Sequence, residues 1–170
     1  MKKFKSLLII MPIIAVTLGV LGGCASHPSN MRAGMSRDQI ISRFGAPDIE
    51  RSAPDGGVLI YATEPFGQTA YAARIGSDQR VVQVEQILTL EKFAAIRIDE
   101  WDRERLLVNF GPPAEVRVFD RNTVWWHYRY KESGVWDSMM FIRLDGQGTV
   151  RQMINGPDPL YQVNDQVRVE

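Results

Sequence analysis

The feature that most constrains this fold is an internal repeat with an offset of 66 residues. The run Phe44-Gly45-Ala46-Pro47 recurs as Phe110-Gly111-Pro112-Pro113, and residues 35–41 align with residues 101–107. A repeat of this length indicates that one supersecondary unit occurs twice. The alternative is that two unrelated helix–strand segments resemble each other because they share local chemistry.

Each copy predicts a short helix whose two ends are marked. Ser36 and Asp102 are N-cap residues, because their side-chain oxygens can accept hydrogen bonds from the free N–H groups of the first turn. Gly45 and Gly111 can end the helices in the left-handed conformation, and a proline follows two residues later. The apolar stripes at helical spacing are Ile40, Ile41 and Phe44 in the first copy and Leu106, Leu107 and Phe110 in the second.

Strand-like segments follow both helices in the same order. They are Val58–Tyr61, Ala70–Ile75 and Arg80–Ile87 in the first copy and Val124–His127, Ser138–Leu144 and Thr149–Ile154 in the second. Short loops favour antiparallel meanders, and Leu90–Ile96 predicts an extra helical turn in the second copy. The predicted fold class is α+β, with two tandem ααβββ-type units, each a helical layer on a short antiparallel sheet. Because a unit of roughly 60 residues is marginal alone, we expect the units to share an interface.

The N-terminus is typical of a secretory signal. Three lysines in the first five residues precede an apolar stretch from Leu7 to Leu21, which is short for a membrane span. The run Leu21-Gly22-Gly23-Cys24, which holds the only cysteine, resembles the lipobox of bacterial lipoproteins. The alternative is an ordinary signal peptide with a chance cysteine.

The lipobox resemblance implies cleavage before Cys24 and acylation of Cys24, with palmitate among the attached chains. The acyl chains would anchor the protein to a lipid bilayer, since each buried methylene contributes about 0.8 kcal/mol. Ala25, rather than aspartate, follows Cys24, and by the same resemblance this implies the periplasmic face of the outer membrane. The predicted segments are a signal peptide (1–23), a lipidated tether (24–35), a first repeat (36–88), a second repeat (89–155) and a C-terminal tail (156–170).

Composition excludes several function classes. Removing residues 1–23 takes away three lysines and no acids, so the mature chain has 17 basic and 20 acidic side chains. A net charge of −3 disfavours nucleic acid as a partner. His27 and His127 are isolated, and no catalytic or metal-ligand constellation occurs. We therefore predict no enzyme activity, no catalytic residue, no metal, no cofactor and no small-molecule substrate.

Two motifs resemble the SmpA/OmlA (BamE-like) family of outer-membrane lipoproteins. They are the helix run from Arg32 to Pro47 and the aromatic strand from Asn122 to Tyr130. Glu100-Trp101 departs from the Gly-Met that the family pattern expects in the second copy. The resemblance implies a non-enzymatic scaffold that supports outer-membrane protein assembly or envelope integrity, with β-barrel assembly machine subunits among its protein partners. Tandem units also resemble secreted β-lactamase inhibitory proteins, which implies a periplasmic binding or inhibitor module as the alternative.

Strand alternation predicts a candidate partner site in the second repeat. It directs Trp126, Tyr128 and Tyr130 towards the helices and the intervening residues to the opposite face. An exposed patch of aromatic, methionine and arginine side chains has the composition of a binding hot spot. The predicted partner-binding residues are Trp125, Arg129, Met139 and Phe141. The alternative is that this face packs against the first repeat.

Overall fold

Two four-stranded antiparallel sheets dominate the structure. The computed structural model describes residues 27–162, so Cys24 and its signal lie outside the described residues. The elements are α1 (Arg37–Phe44), β1 (Ile49–Ala53), β2 (Gly56–Ala62), β3 (Ala70–Gly76), β4 (Val81–Gln86), α2 (Leu90–Phe93), α3 (Arg103–Phe110), β5 (Glu115–Asp120), β6 (Thr123–Glu132), β7 (Trp136–Asp145) and β8 (Val150–Pro157). Sheet 1 has the order β1-β2-β3-β4, and sheet 2 has the order β5-β6-β7-β8. Within residues 27–162, no helix is long and apolar enough to cross a membrane.

The predicted fold class, α+β with ααβββ-type units, is wrong. The described chain is predominantly β, with four strands in each half and three short α-helices. The strands missed by the sequence analysis are β1 and β5, which follow the proline after each of α1 and α3. Most of their side chains are exposed, so they lack the alternation that marks a half-buried strand. Hydrogen bonds to the neighbouring strand define these two strands instead.

The ends of α1 and α3 follow the predicted capping chemistry. Ser36 Oγ accepts from the Gln39 N–H at 3.1 Å, and the Gln39 side chain accepts from the Ser36 N–H at 2.8 Å. The Asp102 carboxylate accepts a hydrogen bond from the third backbone N–H of α3 at 2.8 Å. Gly45 and Gly111 then leave the helices with φ of +86° and +78°. These local signals place both helices correctly.

The two halves repeat one long-range contact. Tyr61 Oη donates to the Gly45 carbonyl at 2.9 Å, and Tyr128 Oη donates to the Gly111 carbonyl at 3.2 Å. Tyr61 therefore corresponds to Tyr128, whereas the sequence alignment placed it over His127. A one-residue irregularity in β5 accounts for the shift of register.

One buried cluster joins the two halves. Phe93 of α2 stacks on Phe110 of α3 with ring centroids 4.7 Å apart, and Phe110 lies 5.9 Å from the ring of Tyr128 in sheet 2. Ile60 and Ala72 of sheet 1 belong to the same cluster. The helices α2 and α3 therefore lie between the sheets, and the expected shared interface is present.

A second cluster covers the other face of sheet 1. Ile40 and Phe44 of α1 pack with Leu59 and Tyr61 of β2. Met31, which lies in the segment assigned to the tether, is only 1% exposed in this cluster. The layers are therefore α1, sheet 1, α2 with α3, and sheet 2. The boundaries assigned to the tether and the repeats stay predictions.

We expect Gly111→Ala to destabilise the protein more than Gly45→Ala. Both glycines have positive φ, so an alanine costs about 1 kcal/mol at either position. A Cβ at Gly111 would also lie 3.1 Å from Ile60 Cγ2 of sheet 1, whereas a Cβ at Gly45 meets nothing within 4 Å. The free energy of unfolding in urea measures the difference. Equal losses would contradict close packing of α3 on sheet 1.

Candidate functional site

The predicted partner site lies on the side of sheet 2 that faces away from α2 and α3, which we call the outer face. The register pairs Trp125 with Arg143 and Arg129 with Met139, and paired residues point to the same side of a sheet. Phe141 lies between these two rows, opposite His127. All four predicted residues therefore share one face, but they do not share one environment.

The end of the outer face near Arg129 is covered by the β2–β3 loop of the first half. Glu64 Oε1 accepts a hydrogen bond from the Arg129 backbone N–H at 3.2 Å, and the Pro65 carbonyl accepts from Arg129 Nε at 2.9 Å. Gln68 Nε2 donates to Asp137 Oδ1 at 2.8 Å in the same loop contact. This loop therefore provides a polar contact between the two halves.

A segment after β8 covers the same end from the other direction. The Asp158 side chain is fully buried and forms an ion pair with the Arg129 guanidinium. The Asp158 N–H donates to the Asp137 carbonyl at 2.9 Å, and Tyr161 Oη donates to the Phe66 carbonyl at 2.9 Å. Part of the segment predicted as a C-terminal tail is thus fastened to the sheet.

Two carboxyl oxygens in this covered region have no hydrogen-bond partner among the described residues. They are Glu64 Oε2 and Asp158 Oδ2, and both are buried. Burial raises the pKa of the Glu64 carboxyl to about 8, and the nearby Asp158 charge also raises this pKa, while Arg129 opposes both effects. The protonated carboxyl has a donor and no charge, so protonation reduces the cost of burying Glu64.

The other end of the outer face is not covered in this way. Trp125 and Phe141 are half-buried, and Ile154 of β8 is 44% exposed. We call this region the open half; it consists of Trp125, Phe141, Arg143, Ile154, Arg117 and Gln152. It combines large apolar side chains with two arginines, of which Arg117 pairs with Glu115 of the same strand at 2.7 Å. Aromatic and arginine side chains together have the composition of an interaction surface.

His127 supports the open half from within the sheet. Its ring contacts the Phe141 ring at a centroid distance of 4.8 Å, and its Nδ1 lies 3.3 Å from Glu115 Oε2. Burial lowers the pKa of His127, although Glu115 opposes this shift. The His127 ring is therefore neutral at neutral pH and packs against Phe141. No group of three or more His, Cys, Asp or Glu side chains suited to a metal occurs in residues 27–162.

The structure divides the predicted site into two pairs. Trp125 and Phe141 belong to the open half, whereas Met139 is 2% exposed and the Arg129 side chain is 13% exposed. The sequence analysis did not predict that Glu64 and Asp158 would cover Arg129. Both acids lie next to prolines in loops, and no local pattern indicates a contact that spans 65 or 29 residues. The role of all four residues in partner binding stays a prediction.

Comparisons with known proteins do not identify a family for this chain. No family model and no curated protein match it. Among solved structures, it is similar to a DUF4309 family protein from Bacillus subtilis, with 16% identity and a TM-score of 0.29 over 74% of this chain and 80% of that chain. A similarity at this TM-score carries no argument. The SmpA/OmlA resemblance stays a prediction.

We expect Glu64→Gln to stabilise the protein at pH 8 and above and to be close to neutral near pH 4.5. The raised pKa means that the folded wild-type protein binds more protons than the unfolded chain between pH 4.5 and about 8. Wild-type stability from this group therefore falls as the pH rises through that window. The difference in unfolding free energy between Glu64→Gln and wild type should reach on the order of 2 kcal/mol above pH 8. One pKa unit corresponds to about 1.4 kcal/mol, and solvent that still contacts the carboxyl reduces this contribution.

Urea unfolding at pH 5 and pH 8.5 measures the Glu64 effect. Glu100→Gln is the control, because Glu100 lies at an exposed position with a surface ion pair to Arg97. A stability difference between Glu64→Gln and wild type that does not change with pH would show that Glu64 is not buried in its protonated form.

Proposed function

We propose that this protein is a lipid-anchored, non-enzymatic scaffold of the periplasm that binds a protein partner through the open half of sheet 2. The observation that carries this proposal is the unequal covering of the outer face. Loop and tail residues contact Arg129, and Met139 beside it is buried, while Trp125 and Phe141 remain half-buried beside arginines. A sheet face that the chain covers over one half, with a tryptophan left accessible in the other half, is typical of a binding surface.

The proposed anchor is Cys24, which lies outside the described residues. The support for it is the sequence alone: a basic start, an apolar stretch from Leu7 to Leu21 and small residues before the cysteine. Ala25 supports the outer membrane as the destination. The SmpA/OmlA resemblance supports β-barrel assembly machine subunits as candidate partners and assembly or envelope integrity as the process that the scaffold serves.

We expect Trp125→Ala to abolish partner capture while leaving the melting temperature nearly unchanged. Truncation of a true anchor typically costs ~2 kcal/mol or more of binding free energy, which is roughly a 30-fold loss of affinity. The matched control is Trp136→Ala, because Trp136 is 69% exposed on the opposite face of the adjacent strand. Affinity purification from solubilised membranes with quantitative mass spectrometry measures capture.

The outcome for Trp125→Ala separates the candidate functions. Co-purification of barrel-assembly subunits that depends on Trp125 supports the scaffold, and recovery of one soluble periplasmic enzyme favours the inhibitor-type module. Core aromatic truncations cost about 3–5 kcal/mol of stability. A large fall in the melting temperature would therefore assign Trp125 to the core and contradict the binding surface.

We expect Cys24→Ser to prevent processing or to release the protein from the outer-membrane fraction. The serine hydroxyl cannot accept the lipid that the lipobox resemblance implies, so the variant protein would have no acyl anchor in the membrane. Density-gradient fractionation with immunoblotting measures both mass and location. A variant that is still processed and anchored as before would contradict the lipoprotein assignment.

A further inference from the structure

The outer face of sheet 2 corresponds to the face of sheet 1 on which α2 and α3 pack. The correspondence of Tyr61 with Tyr128 sets the register of β2 and β6. It is supported by a register shift after Arg74 in β3 and after Arg143 in β7. In this register, Phe141 occupies the place of Ala72 on the corresponding face.

On sheet 1, the helices are held by close packing and by two ionic contacts, one of which joins Arg51 of β1 to Glu104 of α3 at 3.3 Å. Gly111, at the end of α3, lies against Ile60 of β2. Glu85 of β4 accepts from Lys92 Nζ of α2 at 2.7 Å and from the Arg74 guanidinium at 3.1 Å. One sheet carboxylate therefore binds a helix lysine and neutralises the sheet arginine beside it.

On sheet 2, the same position has different chemistry. Ile154 pairs with Phe141 as Glu85 pairs with Ala72, so an apolar side chain stands where sheet 1 has its carboxylate. Arg143 Nε donates to Gln152 Oε1 at 3.2 Å. Among residues 27–162, no carboxylate oxygen lies within ion-pair distance of Arg143. At this position the open half is apolar where sheet 1 is acidic. Arg143 has no acidic partner among the described residues, whereas Arg117 of the same face pairs with Glu115 at 2.7 Å.

We propose that the open half seats an amphipathic helix of the protein partner, as the corresponding face of sheet 1 seats α2 and α3. The apolar side of that helix packs on Trp125, Phe141 and Ile154, and one of its carboxylates pairs with Arg143. This inference rests on the proposed function, and it adds the conformation and the charge of the partner segment.

The dimensions of the open half fit one helix. Four strands spaced about 4.8 Å apart give the open half a width of roughly 14 Å. Its length along the strands is about the same, because it includes the row that contains Phe141, the row that contains Trp125 and the residues that flank them. A helix with its side chains is about 10–12 Å wide. The loop at Glu64 and the segment at Asp158 close the remaining end, so a single helix can lie across the open rows. An extended segment of a partner would instead bind at a sheet edge, where backbone N–H and C=O groups are free to form hydrogen bonds.

A photoreactive phenylalanine analogue at position 117 of the full lipidated chain tests the geometry in membranes. Position 118 is the matched control, because Arg117 pairs with Trp125 on the outer face whereas Val118 lies on the opposite side of the same strand. We expect cross-links at 117 and few at 118. Mass spectrometry then identifies the cross-linked segment of the partner.

The conformation and sequence of the cross-linked segment show what occupies the open half. A segment that is helical in the partner, with aliphatic residues on one side and a flanking Asp or Glu, supports the inference. An extended segment, or a covalent dimer of this chain, would overturn the helix while leaving protein binding through this face intact. Cross-linking at 117 that does not exceed the yield at 118 would overturn both proposals.

The proposed ion pair between Arg143 and a partner carboxylate is tested with a synthetic peptide that has the sequence of the cross-linked segment. Arg143→Gln should weaken binding of the peptide to residues 25–170 about tenfold, the loss expected for a hydrogen bond between charged groups. Arg97→Gln is the control, since Arg97 is exposed between α2 and α3. Replacement of the peptide acid by its amide should cause no further loss in the Arg143→Gln protein. Equal affinities of wild type and Arg143→Gln would overturn the ionic contact.

Discussion

The burial of α2 and α3 between the two sheets is the interaction on which the rest of the structure depends. Phe93, Phe110 and Tyr128 contact one another at the centre of this layer, and Ile60 and Ala72 close it from sheet 1. Neither four-stranded sheet has this cluster by itself. Because roughly 60 residues bury too little apolar surface for robust stability, the helices of the second half complete the core of both halves.

The asymmetry between the two halves follows from that layer. Sheet 1 has α1 on one face and α2 with α3 on the other, whereas sheet 2 has helices on one face only. Small side chains such as Ala70 and Ala72 let a helix approach sheet 1 closely. The corresponding residues in sheet 2 are Met139 and Phe141, which offer larger apolar contacts. A repeated unit has thereby acquired a buried face in one copy and a partly open face in the other.

The contact among Glu64, Arg129 and Asp158 determines how much of that face stays open. It brings a loop of the first half and the segment after β8 to the backbone N–H and the guanidinium of Arg129. Without these partners, the N–H groups of the Arg129 guanidinium would lie on the sheet with no acceptor from the protein. Asp158 and the Pro65 carbonyl instead bind the guanidinium, while Glu64 accepts from the Arg129 backbone N–H. Burial in this contact raises the pKa of Glu64. The same contact that joins the two halves therefore sets the boundary of the candidate binding surface.

Local chemistry in the sequence was sufficient for the helices and for the faces of the central strands. The caps at Ser36 and Asp102 and the glycines after each helix act within a few residues, so they can be recognised without tertiary structure. Alternation in β6 likewise determined that Tyr128 faces the helices. Only the tertiary structure decided that β1 and β5 are strands, because their side chains are mostly exposed and their pairing is a backbone property. The tertiary structure also decided which half of the outer face is covered. Glu64 and Arg129 lie 65 residues apart and meet only when the whole chain is folded, so no local sequence pattern predicts their contact.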